Sequence, residues 1–165
     1  MESKSTLQRI LATRPSWATL PIRLVLGLVM AAHGAQKLFG WFGGYGLEGT
    51  GGFFESNLGL SPGIFWAALA GAGEFFGGLL VLAGLATRLA AFNLAVVMLV
   101  AITQVHLDAF FAPAGFEYPL TLLGASLALV ISGGGSLSVD ALLQKRYSDA
   151  AQPRTRPEIG AVEVA

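Results

Sequence analysis

The chain has 165 residues, of which 54% are apolar and only 12% charged, with a mean hydropathy of +0.65. Charged residues approach about 25% in ordinary soluble domains, so the composition excludes that class and points to an integral membrane protein. Net charge is zero with no basic tract, which removes the electrostatic footprint of nucleic-acid binding, and the lack of cysteine excludes disulfides, thiol chemistry, Cys-ligated iron–sulfur clusters and Cys-attached haem.

Residues 1–18 are polar and carry Lys4, Arg9 and Arg14, while Leu7, Ile10, Leu11 and Trp17 are spaced so that a short helix could lie on a membrane surface before Pro15; a frayed tail is the other reading. The apolar run that follows is longer than the core of a signal peptide and lacks a small-x-small cleavage site, so no cleavage is expected. Residues 20–39 form the first span. At about 1.5 Å per residue the run covers about 30 Å, the thickness of a bilayer's hydrocarbon core. It carries Arg23, His33 and Lys37. His33 and Lys37 stand at i and i+4 on one face, and Arg23 lies about 40° around the axis from Lys37. Ionisable groups at such depth face protein or water, which makes this seam the candidate site.

Residues 40–62 are glycine-rich and predict a loop in their first half, with a short interfacial helix over Phe53 to Leu58 and a start signal for the next span at Ser61–Pro62. No Gly-Lys-Ser/Thr follows, so the glycines do not read as a nucleotide loop. Residues 63–84 form the second span, with one charge, Glu74, near the middle. On a helical wheel Ala67, Ala70, Gly71, Gly77, Gly78 and Val81 surround Glu74, while Phe65, Leu69, Phe76 and Leu80 lie opposite. The small residues and the Gly73-x-x-x-Gly77 spacing predict a close neighbouring helix on Glu74's side.

A tight turn over Gly84 to Arg88 leads to the third span, residues 89–107. Asn93 and Gln104 share a stripe there and read as interhelical hydrogen-bonding groups, and His106 ends the span near water. Residues 108–118 are an acidic and aromatic loop, and the fourth span, residues 117–134, closes at the Gly133–Gly135 run. Ser138 to Tyr147 could form a short amphipathic helix, and the tail beyond reads as disordered. The expected organisation is therefore an N-terminal segment at 1–18, a membrane domain at 19–143 and a disordered cytoplasmic tail at 144–165. The fold class is all-α, an integral membrane four-helix bundle. Every loop Lys and Arg lies on one side of these spans, which predicts cytoplasmic termini, and Trp17, Trp41, Trp66, Tyr45 and Tyr118 fall at span ends where amphipathic rings collect.

The Arg23-x-x-x-Gly27 start, the His33-Gly34-Ala35-Gln36-Lys37-Leu38 and Glu74-Phe-Phe-Gly77-Gly78 segments, Gly84-Leu-Ala-Thr87-Arg88, Tyr118-Pro119-Leu120 and Ser138-Val-Asp140 together resemble the DoxX family of bacterial membrane proteins over about residues 18–143. That resemblance implies a four-helix, multi-pass protein of the bacterial cytoplasmic (inner) membrane, associated with redox or oxidative-stress systems. Some relatives are subunits of a thiosulfate:quinone oxidoreductase, and one is found in a membrane complex with superoxide dismutase and a sulfurtransferase. Fold-level likeness leaves the chemistry open.

Three functional readings follow. In the first the chain is a redox-complex subunit of the lipid bilayer, working with oxidoreductase or stress-response subunits. Glu74, with His33 as the first candidate partner and Lys37 as the second, would then relay protons or stabilise charge for a bound quinone, the one cofactor considered. The same groups could instead neutralise each other to fix helix register. In the second reading the chain is a small proton-coupled transporter, for which four spans give room only in a homo-oligomer. In the third it is a non-catalytic anchor or assembly subunit. Arg23, Asn93, Gln104 and His106 are secondary site candidates. No metal is expected, since His33 and His106 with Glu74 would supply three ligands only if the fold converged them.

Overall fold

The structure is a computed structural model that describes residues 11–151, with the side chains of the last three left out. Among the described residues it is all-helical and has no strand, with six α-helices: α1 (Thr19–Phe39), α2 (Gly46–Leu58), α3 (Gly63–Ala83), α4 (Thr87–Ala101), α5 (Glu117–Ser132) and α6 (Val139–Ala151). A π-turn, Ile102–His106, extends α4. The helices Thr19–Phe39, Gly63–Ala83 and Thr87–His106 are long and apolar enough to cross a membrane, and Glu117–Ser132 is a shorter apolar helix. Helix α3 packs against α1 on one side and α4 on the other, and α5 packs on α4 and, less extensively, on α1. Leu26, Met30, Val81, Leu94, Met98, Leu122 and Leu129 fill the space between them. Outward faces carry exposed Leu28, Phe65, Leu69, Phe76, Phe92 and Ile131, a surface suited to lipid.

The α1–α3 contact is built on glycine. A Cβ on Gly27 would stand 2.8 Å from the Gly78 carbonyl oxygen, and one on Gly34 would stand 2.7 Å from that of Gly71. These two pairs, each seven residues apart on its own helix, bring antiparallel backbones to a distance no larger residue allows. Gly73 and Gly77 lie instead against Asn93 and Leu94 of α4, so the two faces of α3 serve two neighbours.

One expectation is corrected, and the structure adds detail to two others. The glycine-rich loop is helical from Gly46: Gly51 packs on Ile64, where a Cβ would meet the backbone nitrogen at 3.0 Å, and this tertiary contact outweighs poor intrinsic propensity. Residues 11–17 form no helix. They run as a strap tied by Arg14 N–H to the Ser132 carbonyl (3.2 Å) and by the Arg88 guanidinium, which donates to the Ala12 (2.8 Å) and Val130 carbonyls. The remainder of the expected surface helix, residues 1–10, lies outside the described residues. Helix α6 continues to Ala151, so the tail boundary at residue 144 falls inside a helix; residues 152–165 are not described.

The two ends of the molecule differ in chemistry. At the α6 end the Arg23 side chain, 2% exposed, donates to four carbonyls: Val81 (2.9 Å), Leu82 (2.7 Å), Gly134 (2.8 Å) and Leu137 (2.6 Å). It thereby satisfies the last turn of α3 and the Gly-rich turn together. Gly84 (φ +68°) closes α3, and beside it the buried Asp140 carboxylate accepts from Ala86 N–H (2.7 Å), Thr87 N–H (2.9 Å) and the Thr87 hydroxyl (2.7 Å). Helix α4 is thus capped by a side chain from α6. The α2 end is looser, and the cavity described next opens there.

Candidate functional site

Glu74 sits near the middle of α3 on its small-residue face, flanked by buried Gly71, Gly77, Gly78 and Val81, and it faces α1. Its Oε2 accepts from the Lys37 ammonium at 2.6 Å, the one ion pair among the described residues. The side chains are 5% and 26% exposed respectively, so the carboxylate is buried and the ammonium reaches it from a more open position. Lys37, the second of the two basic candidates, therefore holds Glu74. His33 packs instead against the Tyr118 ring, with centroids 6.1 Å apart.

The pair forms the inner end of a cavity of about 640 Å³. Helix α2 supplies one wall with Thr50, Phe53, Phe54 and Leu58, and α4 supplies the other with Val97, Val100 and Ala101. Gln104, Val105 and His106 of the π-turn form the rim. A π-turn adds a residue to the helical repeat, and such turns recur at functional sites. Here the His106 Nδ1 lies 3.0 Å from the Ala114 carbonyl, to which it donates, leaving Nε2 as the ring's other nitrogen. Lining is mainly apolar and aromatic with a few polar groups, the usual make-up of a small-molecule site.

The candidates thus divide into three places. Glu74, Lys37, Gln104 and His106 line this cavity. His33 lines a second, smaller cavity of about 220 Å³ with Val29, Ala32, Phe42 and Tyr118; Gln36 borders both. Arg23 belongs to the α6 end, fourteen residues and so about 21 Å along α1 from Lys37. Asn93 is interhelical glue, donating from Nδ2 to the Gly73 carbonyl at 2.8 Å. No three His, Asp or Glu groups converge on a metal position among the described residues.

The sequence predicts the second half of α2, Phe53 to Leu58, as a helix at the interface but not its first half or its place as a cavity wall, and it does not signal the π-turn. The Leu47, Thr50, Phe54, Leu58 spacing does carry a helical period, but Gly49, Gly51 and Gly52 fall within its first half.

The DoxX family profile matches residues 18–107, which takes in α1, α2, α3, the whole of α4 and its π-turn. A Bacillus subtilis protein named "Putative oxidoreductase CatD" is 37% identical over 128 residues, covering 77% of this chain and 87% of that protein. A Mycobacterium tuberculosis protein named "Uncharacterized membrane protein Rv3486" is 34% identical over 155 residues, covering 80% of this chain and 91% of its own. No solved structure matches the chain.

Proposed function

Since the chain belongs to the DoxX family of membrane proteins, we propose that it is a four-span subunit of a redox or oxidative-stress complex in the bacterial inner membrane, with the Lys37–Glu74 cavity as the seat of a quinone-type ring. The observation that carries this reading is the ion pair at the inner end of an aromatic-walled cavity. A ring carbonyl needs a hydrogen-bond donor, which the Lys37 ammonium supplies; oxidation of the quinol form releases protons, which the Glu74 carboxylate can accept, and reduction of the quinone takes protons up, which the protonated Glu74 carboxyl can return. Apolar walls exclude water and strengthen both interactions. His33 stands one turn from Lys37 and borders the neighbouring cavity through Gln36, a further proton-carrying group on the same helix. With no cysteine in the chain, electrons would pass through a bound carrier or a partner subunit. The name of the B. subtilis relative supports the redox reading.

Orientation follows from charge: Arg14, Arg88, Lys145 and Arg146 gather at the α6 end, and the segments at the α2 end, residues 40–62 and 107–118, contain no Lys or Arg. The α6 end then faces the cytoplasm. Reporter fusions after residues 50 and 112 should read as periplasmic and one after residue 86 as cytoplasmic. The four carbonyl bonds of Arg23 seal the α6 end, which favours a one-sided site over a transport path.

The test is quinone titration of the purified protein in lipid nanodiscs, with identification of co-purifying subunits. The double variant Glu74→Gln/Lys37→Met removes both charges at nearly constant volume. It should fold and bind quinone at least about tenfold more weakly, a loss of about 1.4 kcal/mol. Unchanged affinity would remove the site.

A further inference from the structure

We infer that the Lys37–Glu74 cavity opens sideways into the lipid, through the gap between α2 and the π-turn of α4, and takes an amphiphile whose neutral ring head lies at the ion pair while its hydrocarbon tail stays in the gap. The head's identity rests on the quinone reading above; the lateral opening does not.

The cavity lies deep in the span. Glu74 lies eleven residues into α3, about 16 Å along a helix of 21 residues and about 31 Å. The α4 wall runs from Val97 to His106, about 14 Å. The cavity therefore reaches from the α2 end to mid-depth, alongside hydrocarbon for most of its length.

Helices α2 and α4 each pack on α3 but not extensively on each other. Phe53 of α2 and Val100 and Val105 of α4 line the cavity and are exposed. Two walls that do not close on each other leave a gap between them, and at this depth the medium beyond that gap is lipid. The five-residue π-turn widens α4 at this rim, so that adjacent Val105 and His106 both border the cavity.

Charge selects the occupant. Residues 40–62, which carry the α2 wall, and residues 107–118, which follow His106 in the chain, hold Glu48, Glu55, Asp108 and Glu117 and no Lys or Arg. An anionic headgroup meets like charge at this end of the molecule. Any charged head would also have to be carried to mid-depth, at about 2.5–3.5 kcal/mol on insertion scales. A neutral ring bearing hydrogen-bond acceptors incurs neither cost, and it finds Lys37 at the inner end. Phe53 and Phe54 offer it flat apolar surface. The volume of about 640 Å³ suits a ring and the first part of a tail, with the rest of a long tail outside.

The absence of native cysteine makes the gap directly testable. In a Trp17→Phe/Trp41→Phe/Trp66→Phe background, Phe54→Trp places a single fluorophore on the cavity wall. In nanodiscs containing brominated phosphatidylcholine its emission should be quenched by more than half, and water-soluble acrylamide should quench it far less. Joining Phe53→Cys to Val100→Cys with a short bis-maleimide should abolish the lipid quenching. In the unlinked protein a decyl-tailed benzoquinone should bind at least tenfold more tightly than the same ring without a tail. Acrylamide quenching without lipid quenching, or lipid quenching that survives the cross-link, overturns the lateral opening. Lipid quenching that the cross-link abolishes, with neither quinone bound, leaves the opening standing and removes the quinone reading. Equal binding of the two quinones removes the tail from the proposal.

Discussion

Removing the two ends of the Lys37–Glu74 pair should have unequal effects, and the inequality follows from burial. Lys37→Met keeps the aliphatic stem that packs near Gly71, where a Cβ would stand 3.2 Å from the Lys37 Cβ, but it leaves the Glu74 carboxylate without its partner in a 5% exposed position. Stripping one partner from a fully buried pair costs about 3–5 kcal/mol; with Lys37 26% exposed the pair is partly screened, which places the cost near the lower bound, about 3 kcal/mol. Glu74→Gln leaves an ammonium that can extend towards the cavity mouth, so its cost should be about 1 kcal/mol. In the double variant no unpaired charge remains, and its loss should match that of Glu74→Gln alone. The expected coupling is then about 3 kcal/mol, far above the roughly 0.5 kcal/mol within which independent sites add. Equilibrium unfolding by SDS in mixed micelles, followed by far-UV circular dichroism, measures all four corners of the cycle. Additive losses, or a milder effect for Lys37→Met than for Glu74→Gln, would refute the reasoning.

Arg23→Lys should lower stability by roughly 2 kcal/mol in the same unfolding assay, because a single ammonium cannot span carbonyls of both α3 and the Gly134–Leu137 turn. Asp140→Asn should lose about 1–2 kcal/mol, since one amide oxygen cannot accept the three bonds now shared by two carboxylate oxygens, and amide exchange at Ala86 and Thr87 should accelerate. Gly34→Ala should destabilise by about 1–3 kcal/mol or abolish folding, as its methyl would collide with the backbone of Phe75; Gly124→Ala, whose methyl meets nothing within 4 Å, should leave the melting temperature unchanged or raise it.

Helices α1, α3 and α4 were legible because a membrane-length apolar run is a strong and local signal. The wheel of α3 was largely legible: Ala67, Gly71, Gly77, Gly78 and Val81 are buried beside Glu74 with Ala70 half-buried, and Phe65, Leu69 and Phe76 are exposed, whereas Leu80, expected with them, packs partly on the core. What the sequence did not carry are elements whose conformation is decided by something distant in the chain. Helix α2 forms despite Gly49, Gly51 and Gly52 because Gly51 lets it dock on Ile64. The strap at residues 11–16 is held by groups more than seventy positions away, among them Arg88 and Ser132. Asp140 caps a helix that starts at Thr87, a partnership with no short-range pattern.

The sequence places the partner of Glu74 on the right face of α1 but puts His33 ahead of Lys37, and the structure reverses that order; the reason lies in the direction of side chains. His33 and Lys37 lie one turn apart on the same face, so a wheel alone barely separates them. The glycine pairs supply the missing coordinate: Gly27 against Gly78 and Gly34 against Gly71 set an antiparallel register in which Glu74 is level with Ala31. Helical side chains tilt towards the N-terminus of their own helix. Glu74 therefore leans towards the level of Gly71, which is the level of Gly34 on α1. Lys37 leans back towards that same level and meets it at 2.6 Å. His33 tilts in the same direction but starts from below that level, so it leans away from it towards Val29, with which it lines the smaller cavity. A Gly34 substitution that kept the fold but shifted this register by one turn would bring a different α1 residue level with Glu74. The pairing is thus a consequence of where the glycines fall as much as of where the charges do.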